Sequence, residues 1–349
     1  MLIKQETMVR LVFFLGGLLL VQLVHSHHST LGLYDEDRIV EIEGVVMSVR
    51  WGNPHPAYTV AVLDENGETV EWDVQGGGSV TTLRLRGVDR DVVKVGDRLR
   101  IAGESSTRGL PEMFASNFLL ENGQEVVLGI DSEPRWVAGL GGDLFQSRLD
   151  EALVEDARQA ADGIFRVWTV VLDDPASFRL YRDNVSPLTE SASELKAQWD
   201  PRASPYLGCE PRGMPYLMTT PFPFEFVRRE NDMVLRAESY DSERLIHMGT
   251  VQPPSSEPYA LLGYSTGRWE GNRLVVETDR IDAPYFYGDG TPQSRSIQLV
   301  EHFTLNEQED RLDYLLVITD PETFTETLEF SRYWTWRPEV RVEPFNCAE

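Results

Sequence analysis

The feature that most constrains this chain is a succession of short β-branched and aromatic runs, each closed by a tight-turn pair. Residues 57–63 lead into Asp64-Glu65-Asn66-Gly67, and residues 69–74 return from it. Asn-Gly accepts the positive φ angles of a two-residue hairpin. Asn122-Gly123, Asn231-Asp232 and Gly271-Asn272 punctuate later runs in the same way. Short strands bounded by turn residues at close intervals predict a mainly β chain built from small barrels.

In the first half, residues 39–46, 57–63 and 69–74 read as strands, 79–86 as one or two helical turns, and 98–103 and 114–121 as two more strands. Three strands, a short helix and two strands is the order of an OB-fold barrel; a generic small β-sandwich is the alternative. Residues 144–161 break this pattern. Phe145, Leu149, Leu153 and Ala157 recur at helical spacing, and Gly163 stops the helix. That helix is expected to pack between domains or to plug one end of a second barrel.

From Phe165 the strand pattern resumes, with candidates at 165–172, 224–229, 233–240, 244–249, 261–270, 273–278, 297–305, 312–319 and 325–334. Tight turns between consecutive runs predict an antiparallel meander. About eight strands suffice to close a barrel around side chains or a small ligand. The stretch from Gly163 to Trp168 is similar to the glycine-to-tryptophan opening of lipocalin-type barrels. Prolines in the loop 201–223 predict an ordered, extended wrap. The expected plan is a signal peptide (1–26), an OB-like domain (27–130), a linker and helix (131–162) and an antiparallel, lipocalin-like barrel (163–349).

Lys4 and Arg10 precede an apolar run, 11–24, interrupted only by Gln22, and a cut after Ser26 has small or modest residues at the required places. The run is shorter than the roughly 20 residues a membrane span needs. A periplasmic or secreted protein without membrane insertion is expected. The formal net charge of −25 argues against nucleic acid and anionic lipid as partners. Cys209 and Cys347 are the only cysteines, and outside the cytosol an even count predicts a disulfide. Two free buried thiols are the alternative.

A mature chain starting at His27 would carry a free α-amine and an imidazole on one residue, a chelate suited to copper. His28 adjoins it. His55 follows the first OB strand, on a loop that lies at the usual binding face of that fold. Asn53-Pro54 makes a turn that aims it. About ten residues ahead of the first strand let the terminus fold back towards His55. A cut one residue earlier places His28 third, another Cu(II) or Ni(II) motif. The plainer alternative is a solvated tail and a turn-capping His55.

In the second domain, Glu301 and His302 are adjacent on a strand and so face opposite sides. Arg268 and Glu270 flank Trp269 and share a face, where an internal ion pair would form; Arg332 lies in the last strand. Arg268, Glu301 and Arg332 are the candidate ligand-binding residues of the barrel, with a structural salt-bridge network as the alternative. His247 is expected to pack. No nucleophile elbow, phosphate loop, dinucleotide fingerprint or His-Glu-x-x-His motif is present, so no catalytic residue is named.

Four motifs, His27-His28-Ser29, Trp51-Gly52-Asn53-Pro54-His55, Cys209-Glu210-Pro211-Arg212-Gly213-Met214-Pro215 and Gly267-Arg268-Trp269-Glu270-Gly271-Asn272, are similar to those of a family of secreted bacterial proteins catalogued only as a domain of unknown function. The resemblance covers the N-terminal domain and implies the compartment and the two-domain plan. It brings no activity. Gly52 departs from the Thr or Ser that relatives carry there. The expected function is that of a binding protein that takes up copper. The alternatives are a lipocalin-like carrier of a small apolar ligand and an enzyme acting in the second barrel.

Overall fold

Alternation of side chains along a bent first strand organises the N-terminal barrel. The computed structural model describes residues 32–129, 132–137, 151–178, 187–249 and 256–347. Strand β1 (Tyr34–Arg50) pairs with β2 (Ala57–Leu63) on one side and, through register shifts along its length, with β4 (Arg98–Ser106) on the other. Ile42 and Val46 point inward while Glu41 and Glu43 point out. A Cβ on Gly44 would lie 2.4 Å from the Ala61 carbonyl, so this position lets β1 approach β2 closely. β3 (Thr69–Gly76) follows the hairpin, where Gly67 has φ +82°. Helix α1 (Val80–Leu85) starts at Ser79, whose hydroxyl accepts the Thr82 N–H, and it buries Leu83 completely.

β5 (Glu112–Leu120) pairs antiparallel with β4 and with β6 (Glu125–Val127), and parallel with β3. That parallel pairing turns the strand order β3-β2-β1-β4-β5-β6 into a ring. It is the OB arrangement, around an aliphatic core that includes Val60, Leu99, Ile101 and Phe118.

The C-terminal barrel follows α2 (Glu151–Ala160). Its strands are β7 (Val167–Thr169), β8 (Phe224–Arg229), β9 (Asp232–Ala237), β10 (Ser242–Met248), β11 (Tyr264–Glu270), β12 (Arg273–Asp279), β13 (Gln298–Leu305), β14 (Arg311–Thr319) and β15 (Leu328–Trp336). Helices α3 (Pro175–Phe178) and α4 (Glu190–Ala197) lie between β7 and β8. The nine strands close on themselves in the order β10 to β15, then β7, β8 and β9. The closed β-barrel expected from the sequence is present. It differs from a pure meander at one seam, because β10 and β11 run parallel.

Aromatic rings pack against one another across the barrel interior. Trp334 packs against Phe224 at 4.8 Å and Tyr314 at 5.0 Å, and Phe303 against Phe226 at 5.3 Å. The expected helical plug is not seen in the described part of α2, which buries none of its residues and leaves Leu153 47% exposed. Its alanines offer too little apolar surface to seal a barrel end. The proline-rich wrap forms short 3-10 turns at Pro201–Ala203, Pro205–Leu207 and Tyr216–Thr219, and it is buried from Arg212 to Thr219. Cys209 and Cys347 are disulfide-bonded across a separation of 138 residues. Closing a loop that long is worth at most about 5 kcal/mol by chain entropy.

Candidate functional site

Asn53 sets the loop between β1 and β2. It is buried, its side-chain amide donates to the Phe345 carbonyl at 2.9 Å, and its amide oxygen accepts the Val80 N–H at 3.1 Å. Its own N–H donates to the Asn346 carbonyl at 3.3 Å. One side chain therefore ties the loop to α1 and to the C-terminal tail. A Cβ at Gly76 would stand 2.9 Å from Pro56, and one at Gly77 only 2.7 Å from the Ala115 carbonyl, so these glycines let the β3–α1 connection pass beside the loop.

His55 is half-buried, edge-on to Phe114 at 5.0 Å. Phe114 also packs on Tyr34, at the start of β1, at 5.7 Å. Burial pushes the His55 pKa down to about 4; the Arg212 charge acts in the same direction, and the Gly78 and Gly76 carbonyls oppose it. Nδ1 is sealed from solvent without a hydrogen-bond partner among the described residues. At neutral pH the ring is uncharged and keeps one nitrogen lone pair.

Arg212 comes from the other domain. It is 4% exposed, and its Nη2 donates to the Tyr206 carbonyl at 3.0 Å. Its guanidinium carbon lies 4.3 Å from the Tyr206 ring centroid, 5.1 Å from Tyr240 and 5.3 Å from Tyr216. The Asn-Pro-His loop and the Cys-Glu-Pro-Arg segment, far apart in sequence, thus meet at the junction of the two barrels.

The C-terminal tail is wedged into the same junction. Phe345 packs against Tyr240 at 4.3 Å and Phe222 at 5.1 Å, and its N–H donates to Asp241 at 3.0 Å. Glu238 accepts hydrogen bonds from the Thr81 hydroxyl of the first barrel and from the Glu343 N–H. Burial raises its pKa to about 7, against the opposing pull of Thr81, the Glu343 N–H and Arg84.

Of the three barrel residues expected to bind a ligand, Glu301 and Arg332 are buried and Arg268 is half exposed. Glu301 does point inward, and its partner is Arg244, not Arg268. Both side chains are fully buried. Arg244 also donates to Ser265 at 2.8 Å and Thr278 at 2.5 Å, and the Tyr314 hydroxyl donates to Glu301 at 2.9 Å. Arg268 pairs with Glu270 and Glu277 on the outer surface, half exposed, so the expected internal pair with Glu270 is external. The reason is parity: Ser265 and Gly267 take the inward positions of β11 and leave Arg268 outside. Arg332 is buried, donates to the Met218 carbonyl at 2.9 Å and lies 4.8 Å from the Trp334 ring.

A cleft of about 510 Å³ opens at the parallel seam, where β10 and β11 pair only from Ile246 to Met248 against Ser265 to Gly267. Its wall includes Tyr240, Glu243, Arg244, His247, Glu257 and Tyr264. His247 stacks on Tyr264 at 4.6 Å, and its Nδ1 lies 3.2 Å from Asp232.

His27 and His28 lie outside the described residues. Among the described residues, no cluster of three or more His, Cys, Asp or Glu side chains is placed to hold a metal ion. Sequence pattern did not single out Tyr206, Tyr240 or Arg244. For Arg212 the available signal was an arginine framed by Pro211 and Gly213 in a wrap otherwise rich in apolar residues.

Fold and junction together define a two-barrel β protein whose candidate site lies where the barrels meet. Residues 19–112 match a family of unknown function (DUF6152). The match takes in His27, His28 and the His55 loop and stops at the start of β5, so the Arg212 segment lies beyond it. No curated protein matches the chain.

Proposed function

We propose that this is a periplasmic or secreted binding protein that holds copper through its mature N-terminus, His27 with His28, and through His55. The neutral imidazole of His55, one aromatic ring away from the start of β1, is the main support for this reading. From His28 to Tyr34 the chain spans up to roughly 20 Å when extended, enough to bring the terminus to that ring. Nitrogen ligands of this kind suit Cu(II). The Cys209–Cys347 disulfide fits an oxidising compartment.

The test is calorimetric copper titration of the mature chain, with its first residue confirmed by mass and its ligands read by electron paramagnetic resonance. His55→Ala and a form with one extra residue ahead of His27 serve as comparisons. The expected result is one nitrogen-ligated Cu(II), bound at least tenfold more weakly by both variants. Equal, weak binding in all three sinks the reading.

A second reading puts a small molecule in the seam cleft, either as a carrier's ligand or as an enzyme's substrate. His247 and Glu257 on the wall of that cleft favour it. The aromatic filling of the barrel makes the cleft, and not the barrel axis, the place where such a ligand would enter.

A further inference from the structure

Two buried arginines are treated differently in this molecule. Arg244 has a carboxylate, Glu301, and two hydroxyls. Arg212 is nearly as enclosed, 4% exposed against 1%, and among the described residues no ion pair joins it to a carboxylate. Among the described residues its Nη1 has no hydrogen-bond partner, and it is sealed from solvent. The Tyr206 hydroxyl is likewise sealed and unpartnered among the described residues, and the Tyr240 hydroxyl, turned to the same guanidinium, has no acceptor for its proton there. Buried polar groups in proteins are satisfied as a rule. Unsatisfied donors around one cation without a carboxylate describe a place prepared for an anion.

We propose that the domain junction binds the carboxylate of a small molecule, with Arg212 as its anchor and Tyr206 and Tyr240 as hydroxyl donors. The entry is the seam cleft, which Pro211 and Tyr240 both line. Tyr240 stands between cleft and guanidinium with φ +54°, followed by Asp241 at φ +49°, a left-handed pair that ordinary residues adopt at a cost. A single guanidinium with two hydroxyls matches a carboxylate better than a doubly charged phosphate. The net charge of −25 also repels a dianion more strongly than a monoanion or a zwitterion. Glu243 and Glu257 on the cleft wall would hold a positive group at the far end of a zwitterion. The inference goes beyond the copper reading and does not depend on it, since it uses neither His55 nor the N-terminus.

The experiment uses the full mature chain. Thermal shift and calorimetry are run with acetate, benzoate and glycine as probes, and with inorganic phosphate and chloride for comparison, on the wild type, Arg212→Met, Arg212→Lys and Tyr240→Phe. Carboxylates should protect the wild type, with affinity at least tenfold lower in Arg212→Met, partly retained in Arg212→Lys and reduced about threefold or more in Tyr240→Phe. Carboxylate binding is measured without added copper, which separates this result from any failure of copper binding. If Arg212→Met does not fold, Tyr240→Phe decides. Carboxylate protection that is absent, or equal in wild type and Tyr240→Phe, overturns the proposal. Phosphate binding tighter than any carboxylate overturns the assigned ligand class.

Discussion

The interior of the C-terminal barrel and the junction between the barrels both bury charge, and they do so in opposite ways. Around Arg244 the guanidinium faces Glu301, Ser265 and Thr278, and Tyr314 completes the carboxylate. Around Arg212 the cation has tyrosine faces and one backbone carbonyl, and polar atoms nearby lack partners among the described residues. A completed network fixes the register of β10, β11, β12, β13 and β14 at one level of the barrel. An incomplete one costs stability and is retained where something else completes it. The difference directs attention to the junction and away from the barrel axis.

The sharpest way to break the comparison is to make the barrel resemble the junction. Glu301→Ala strands Arg244 without its carboxylate and should cost about 3–5 kcal/mol, read as a lower urea midpoint. A loss below about 1 kcal/mol would mean that water or a rearranged side chain serves Arg244 equally well, and the contrast with Arg212 would vanish.

A smaller effect comes from Glu238 at the junction. Its folded pKa, about 7, lies above the ordinary carboxyl value of 4.5. The folded state therefore holds the proton more tightly than the unfolded state between those values. Stability from this group is fully present below about pH 4.5 and is lost as pH rises through about 7. The whole effect is at most about 3 kcal/mol. Denaturation at pH 5, 6 and 8 should show the wild type weakening towards alkaline pH, and Glu238→Gln should flatten that dependence. An unchanged slope in the variant would place the titrating group elsewhere.

The smallest effect is expected on the outer surface. Arg268→Ala removes two half-exposed ion pairs and should change stability by about 0–1 kcal/mol. A loss several times larger, in the same denaturation assay, would show that Arg268 does structural work its exposure hides.

Much of the fold is legible in the sequence because strand patterns are local. The hairpin at Asn66-Gly67, the short helix after Ser79 and the strands from Phe224 to Trp334 all follow from alternation and turn residues. The parallel seam is not legible, since nothing between β10 and β11 marks a crossing instead of a reversal. The site was legible in pieces. Parity on one strand put Glu301 and His302 on opposite faces, yet it could not say that the arginine facing Glu301 comes from β10. The Asn-Pro-His motif pointed to His55, but its neighbour Arg212 lies in another domain.

The sequence by itself determined a mainly β chain with an OB-like first barrel and a second closed barrel, because short-range patterning encodes both. It also pointed to the cysteine pair. Only the tertiary structure decided which buried charges are matched. That depends on which strands become neighbours across the barrel, and on how the tail, the disulfide and the proline-rich wrap bring Asn53, His55 and Arg212 to one junction. Such long-range proximity, and the desolvation that comes with it, is a property of the packed chain and of no segment alone.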